Sequence, residues 1–250
     1  LGRSAPHLVD PELLALTDEE FAAREAEFLS QAQAAGTRVG AARQRHQTIL
    51  AARETLKTCA RLQSLPGLVE YHAVDVTSPE RVEQIIKSVV QRLGPVDLVV
   101  HGAGVQHSKR LPRRKLAELQ QTIDTKLLGL RNLYTALRRH CPVGRPMHFH
   151  LLTSAFSVLG NDGQHDYGAA NEAMNRLAAA MAGGGDTWTA LGWLGWDRIG
   201  MTRGSEYALL QEERGLHGIT AEEGKELFIS TISGAPPPTV TVLLGPGERR

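Results

Sequence analysis

The sequence predicts an α/β fold built on a doubly wound parallel sheet. Three observations lead there. Short β-prone runs alternate with helical stretches of ten or more residues from about residue 69 onward, which is the pattern of βαβ units with right-handed crossovers. The run Val96-Asp97-Leu98-Val99-Val100 is apolar enough to expect a strand buried on both faces, as parallel strands are. Small or polar residues then follow the strands, at Asp75, His101-Gly102-Ala103-Gly104, Thr153-Ser154 and Trp196 onward. In doubly wound sheets, ligands bind beyond the carboxyl ends of the strands, so these positions are the first candidates for chemistry.

In chain order, Pro11 to Leu65 reads as helical. Thr17 and Glu20 have capping-box spacing, apolar residues recur at helical intervals, and Gly36 to Gly40 is expected to separate two helices. Val69 to Val74 reads as a strand ending at Asp75. Ser78-Pro79 then suits the N-cap and first turn of a helix reaching Leu93. After the strand at Val96 to Val100 come a helix from Ala117 to Arg139, a strand from Met147 to Leu152 and a helix from Ala169 to Ala182. A strand from Thr187 to Leu194, a helix from Glu222 to Ser233 and a strand from Val240 to Leu244 complete the order. Gly183-Gly184-Gly185 and Pro236-Pro237-Pro238 read as turns.

Composition narrows the function. The 250 residues are 42% hydrophobic and 22% charged with a formal charge of +1, so the totals show neither a nucleic-acid nor an anionic-membrane footprint. The basic run Lys109 to Lys115 reads as a solvated loop. Cys59 and Cys141 stand in unrelated contexts, which supports neither a disulfide framework nor a metal site and fits a reducing, cytoplasmic setting. No apolar run approaches the roughly 20 residues of a membrane span, and the first residues lack the apolar core of a signal peptide. They also lack an initiator Met, which suggests a fragment.

Ser154 stands just past one strand, and Tyr167 opens the helix that continues through Asn171. Two hydroxyls brought to one sheet edge can hold a single carbonyl oxygen, with the phenol donating a proton. A phenol titrates near 10, so a neighbouring cation helps it act at neutral pH, and Lys126 is the candidate. Singly, each has an ordinary explanation: Ser154 as a cap, Tyr167 as a core residue, Lys126 as part of a solvated helix face, and the Gly102 region as a tight turn.

Together they carry a resemblance. From Leu68 to Met201 the chain resembles the ketoreductase branch of the short-chain dehydrogenase/reductase superfamily, as found in type I polyketide synthases and polyunsaturated-fatty-acid synthases. The matching stretches are Glu70-Tyr71-His72-Ala73-Val74-Asp75-Val76, His101-Gly102-Ala103-Gly104-Val105, Thr125-Lys126 with Gly129, Thr153-Ser154, Gly160 with Gly163-Gln164, Tyr167-Gly168-Ala169-Ala170-Asn171, and Trp193 with Trp196-Asp197 and Gly200-Met201. Tyr-x-x-x-Asn, with the lysine on an earlier helix, is the most discriminating of these. The resemblance implies a Rossmann-like single catalytic domain over residues 1–250, with a helical insertion at about 11–65. It makes Tyr167 the proton donor, Ser154 its partner on the carbonyl oxygen, Lys126 the cation that lowers the phenol pKa and Asn171 the completion of the polar network. For the cofactor it implies NADPH, with Arg3 and Ser4 at the 2′-phosphate, Asp75 and Val76 near the adenine, His101, Gly102, Ala103 and Gly104 along the dinucleotide, and Trp196, Gly200 and Met201 beside the nicotinamide. The implied substrate is a β-ketoacyl thioester on an acyl carrier protein, and the implied partners are other domains of a synthase.

The chain also departs from the family. It has no Gly-x-Gly-x-x-Gly, and the strand and pyrophosphate loop that precede Gly-Arg-Ser in the family have no counterpart, so a trench is expected where the central first strand would lie. Val105-Gln106-His107-Ser108 and Leu159 replace the residues that mark one or the other hydroxyl configuration. Gly195 stands where the family often has Pro, and Thr202 to Gly218 occupies the place of a substrate lid. A catalytically silent structural domain of a synthase is the alternative, and a free-standing reductase of small ketones or sugars a third reading.

Overall fold

The computed structural model describes residues 1–197, 215, 218–233 and 239–243. The chain divides into two compact units, Leu1–Asp75 and Val76–Arg250.

The first unit is helical. Helix α1 (Pro11–Ala15) is capped by Asp10, whose side chain accepts from the Glu12 amide. Helix α2 (Asp18–Ala34) begins with the expected box: Glu20 N–H donates to Thr17 Oγ1 at 3.2 Å, and Thr17 N–H donates to Glu20 Oε2 at 2.7 Å. Helix α3 (Val39–Gln63) follows, with Gly36 at φ 70° in the turn and Gly40 already inside the helix. Phe21, Ala42, Ile49 and Ala52 form the buried seam of these helices. Arg53 lies in that seam, donating to the carbonyls of Leu13 (2.5 Å), Leu14 (3.2 Å) and Leu16, with its guanidinium 4.6 Å from the centre of the Phe21 ring. Those carbonyls stand at the end of α1, where a helix leaves acceptors without partners.

The strand expected at Val69 to Val74 does not form. Among the described residues, only an isolated parallel bridge forms there, joining Gly2 to Ala73 through Gly2 N–H to His72 O at 3.1 Å and Val74 N–H to Gly2 O at 2.8 Å. A β-prone segment becomes a strand by pairing along its length, and here the pairing is one bridge long.

The second unit carries the sheet. Helix α4 (Pro79–Leu93) starts at Pro79 as expected, although Ser78 makes no side-chain cap bond. Strands β1 (Leu98–His101), β2 (His148–Ser154), β3 (Thr187–Trp193) and β4 (Val240–Leu243) form one parallel sheet in sequential order. Because β1 pairs only with β2 among the described residues, it is an edge strand of the described sheet, and Leu98 and Val100 are exposed although their apolar run predicts burial on both faces. The helix expected from Ala117 to Arg139 is interrupted: α5 (Leu116–Ile123) passes through a π-helical turn, Asp124–Leu128, into α6 (Gly129–His140). Short α7 (Phe156–Leu159) and long α8 (His165–Met181) separate β2 from β3, and α9 (Ala221–Ser233) precedes β4.

Helices lie on both sheet faces. Phe149 and Trp188, paired in register across β2 and β3, stack at 4.2 Å, and Tyr134 of α6 closes over both at 5.6 Å. His150, next along β2 and so turned to the opposite face, meets Phe228 of α9. Past β3, Trp196 bridges to Ile219 and lies so close to α9 that a Cβ at Gly224 would come within 2.3 Å of its ring. Among the described residues, no helix is long and apolar enough to cross a membrane.

Candidate active site

The carboxyl ends of β1 and β2 deliver His101 and Ser154, the π turn delivers Lys126, and the first turns of α8 deliver Tyr167 and Asn171. All five side chains are buried, an unusual concentration of polar groups for one end of a sheet. Tyr167 and Asn171 share a face of α8 because they stand four residues apart. Asn171 Nδ2–H donates to the Tyr167 carbonyl at 2.7 Å, while its Oδ1 is buried without a partner among the described residues. Ser154 Oγ accepts from the Phe156 amide at 3.2 Å.

Lys126 is 2% exposed, and burial pulls its ammonium down to about 8. Its Nζ donates to the Leu152 carbonyl at 3.1 Å and stands 5.6 Å from the centre of the Tyr167 ring. The phenol of Tyr167 is pushed above its ordinary value by burial, against which hydrogen bonding with Asn171 and Ser154 pulls downward. His101 donates from Nε2 to the Lys126 carbonyl at 3.0 Å. Burial and the Lys126 charge hold this imidazole neutral, with its pKa lowered to about 4.

The glycines after β1 are packed rather than open. A Cβ at Gly102 would lie 3.0 Å from Leu152 Cδ1, and one at Gly104 would lie 3.3 Å from Lys126 Cε. Val76, buried, accepts on its carbonyl from Asn132 Nδ2 at 2.9 Å. Arg3, Ser4 and Asp75 belong to the first unit, where Arg3 and Asp75 are exposed and the Ser4 carbonyl accepts from the Tyr71 hydroxyl at 2.7 Å. Trp196 packs on Trp193 with ring centres 5.1 Å apart. Gly200 and Met201 lie outside the described residues, as does most of the lid segment from Thr202 to Gly218.

Sequence reasoning missed Arg114. It is not part of a solvated run: its side chain is 4% exposed and pairs at 2.9 Å with Asp166, itself 2% exposed and adjacent to Tyr167. The same guanidinium donates to the carbonyls of Gly163, at 2.6 Å, and His107. With Lys109 N–H donating to Gly163 O at 2.9 Å and Gln164 Nε2–H to Ser108 Oγ at 3.1 Å, it ties the loop after β1 to the turn that starts α8. A single arginine within a basic run has no pattern of its own; an acid directly before Tyr167 was the one available signal.

The KR domain family model matches residues 23–198. The chain is 28% identical over 196 residues to a polyunsaturated fatty acid synthase polypeptide of Thraustochytrium sp., covering 78% of this chain and 7% of that protein. It is 30% identical over 110 residues to the 3-oxoacyl-acyl-carrier-protein reductase FabG of Vibrio cholerae, covering 44% of this chain and 45% of that one. The chain therefore spans a small part of the synthase and less than half of the reductase. Among solved structures, an N-terminal ketoreductase from the macrolactin assembly line superposes with TM-score 0.66 at 22% identity, covering 79% of this chain and 38% of that one. A gluconate 5-dehydrogenase from Burkholderia cenocepacia, in complex with NADP and tartrate, superposes with TM-score 0.63 at 16% identity, covering 78% and 81%. These last two likenesses speak to the fold, a short-chain dehydrogenase/reductase type of Rossmann-like sheet. Because the matched residues make up more than half of the chain and include three of the four described strands, the chain belongs to the KR domain family.

Proposed function

We propose that the chain reduces a β-ketoacyl thioester, carried on an acyl carrier protein, to the β-hydroxyacyl product, using NADPH within a multidomain synthase of the cytoplasm. One observation carries this reading: two hydroxyls, a lysine and an asparagine are buried together at the carboxyl end of β2, where a purely structural sheet edge has no use for them. The names of the relatives, a polyunsaturated fatty acid synthase and an acyl-carrier-protein reductase, support the substrate class, and the NADP in the superposed dehydrogenase supports the cofactor.

The residues present suit the nicotinamide end of such a cofactor. The buried, orphaned Oδ1 of Asn171 is an acceptor awaiting a donor. Gly102 to Gly104 and Trp196 would line it, with Val76 assigned to the adenosine side. When bound, the reduced nicotinamide supplies a hydride to the carbonyl carbon. Ser154 and Tyr167 hold the carbonyl oxygen, and the proton that neutralises the alkoxide leaves the Tyr167 hydroxyl. A phenol held above its ordinary value stays protonated at neutral pH, the form this step requires. Lys126, titrating near 8, can return a proton to the phenolate, because both its charged and neutral forms are populated near neutrality.

The test is ketone-dependent NADPH oxidation with a β-ketoacyl thioester surrogate, by the chain alone and within its full reading frame, with Tyr167→Phe in parallel. One donor to a developing oxyanion is worth about 2.7–4 kcal/mol, so Tyr167→Phe is expected to lose at least ~100-fold in kcat while keeping its fold. Retained turnover in that variant would remove Tyr167 from the mechanism. A folded wild-type protein that binds NADPH and reduces nothing would instead mark a catalytically silent structural domain.

A further inference from the structure

We propose that His101 is a positioning residue: its Nε2–H bond to the Lys126 carbonyl fixes the π turn that aims the Lys126 ammonium at the Tyr167 ring. The inference rests on the catalytic reading of Lys126 and Tyr167, and it assigns to His101 a role different from contact with the cofactor.

The argument starts from the backbone. Within Asp124–Leu128 the helix widens, and the Gly129 N–H reaches both the Asp124 carbonyl, five residues back, and the Lys126 carbonyl. Such turns are rare in proteins and concentrate at functional sites, because they relocate a side chain at the expense of regular helix bonding. The relocated side chain here is Lys126, at the middle of the turn. Its carbonyl takes a side-chain donor from outside the helix, the His101 imidazole 3.0 Å away, and both groups are buried. The neutral imidazole must carry its proton on Nε2 to make this bond, so the contact also selects the tautomer. Neutrality matters, since a charged ring would set a second cation against the Lys126 ammonium; burial and that ammonium together hold the ring neutral down to a pKa of about 4.

Packing presses the turn onto the histidine. A Cβ at Gly129 would lie 2.7 Å from Val76 Cγ2 and 3.6 Å from His101 Cε1, so the turn lies against both with no side chain between. From there Lys126 reaches across to β2, where its Nζ meets the Leu152 carbonyl, and over the Tyr167 ring. His101 thus holds the base of a lever whose tip is the ammonium. A cofactor contact needs an accessible face, whereas the His101 side chain is 2% exposed and already committed to the turn.

His101→Leu keeps the approximate volume and removes the donor; His101→Gln restores an amide N–H at the reach of Nε2. Two readouts are needed, amide hydrogen exchange over residues 124–130 and the kcat and KM for NADPH and ketone. For His101→Leu we expect exchange in that segment to accelerate at least tenfold and kcat to fall at least tenfold, with KM for NADPH within about twofold of wild type; His101→Gln should recover most of both. Unchanged exchange in a folded His101→Leu overturns the proposal, as does a rise in KM for NADPH with kcat intact, which would make His101 a cofactor contact. A folded His101→Gln as impaired as His101→Leu also overturns it, by assigning the effect to ring shape. Should His101→Leu fail to fold, His101→Phe takes its place: it keeps a ring and removes the donor, and unchanged exchange and kcat there would again defeat the idea. Hydrogen exchange needs no turnover, so an inactive wild type would defeat the ketoreductase reading while leaving the role of His101 to be decided by exchange alone.

Discussion

Each unit buries a cation, and the two are treated in opposite ways. Arg53, 1% exposed in the helical unit, meets three carbonyls, the Phe21 ring and an Asp18 carboxylate 3.3 Å away. Lys126, 2% exposed in the sheet unit, has one carbonyl and one aromatic ring, and no ion pair among the described residues. A guanidinium surrounded by acceptors serves the fold, because its donors complete a helix end that would otherwise be unsatisfied. An ammonium left short of partners is a cost to the fold, and burial accordingly drags its pKa down to about 8. The lesson is that burial alone does not mark a functional charge; burial with too few partners does.

Substitution can break the contrast from either side. Lys126→Met should lower kcat by ~100-fold or more, since general acid–base groups contribute about that much, yet leave the urea midpoint unchanged or raised, because a poorly paired buried charge is replaced by an apolar chain of similar length. A large loss of stability in that variant would show Lys126 to be structural. Arg53→Met should do the reverse. Three carbonyls lose their donor at about 1–3 kcal/mol for each left unsatisfied, and with partial rescue by water we expect a net loss of about 3 kcal/mol in urea unfolding, with turnover per folded molecule preserved.

Titration sharpens the comparison further. The unfolded lysine titrates near 10.5 and the folded one near 8, so between these values the unfolded state binds more protons and stability must rise with pH. Wild type should therefore gain on Lys126→Met as pH climbs through that window. For His101 the folded value is about 4 against 6.5 unfolded, so wild type should lose stability relative to His101→Gln as pH falls from 6.5 toward 4. Parallel unfolding curves at spaced pH values check both, and flat differences would mean that neither group is desolvated as described. The smallest effect belongs to an exposed pair: Arg176→Ala removes the contact with Glu172 on α8 and should change stability by no more than about 0.5 kcal/mol.

Much of the fold was legible because its signals are local. The Thr17–Glu20 box, the start of α4 at Pro79 and the strands β2 and β3 stand where spacing placed them, to within a residue or two. Where pairing decides, the sequence could not speak. Val69 to Val74 is as β-prone as its neighbours but has one bridge among the described residues, and Leu98 and Val100 look like central-strand residues yet belong to an edge of the described sheet. In the site, Ser154 and Tyr167 could be placed from their position past one strand and at the start of one helix, and Lys126 from the phenol's need for a cation, whereas the role of Asn171 entered through family resemblance. Nothing in Asp124-Thr125-Lys126-Leu127-Leu128 announces a π turn, since the widened bonding depends on what packs against it. The buried pairing of Arg114 with Asp166 was hidden for the same reason, as it is formed by two loops far apart in sequence.

Gly224 has a bearing on how this chain can diverge. A side chain there would occupy the space of the Trp196 ring, so Gly224 cannot enlarge while Trp196 keeps its place. Among relatives, a residue larger than glycine at the first position should travel with a smaller one at the second. Such paired exchanges would trace, across lineages, where the segment following β3 has been rebuilt and where it has been inherited intact.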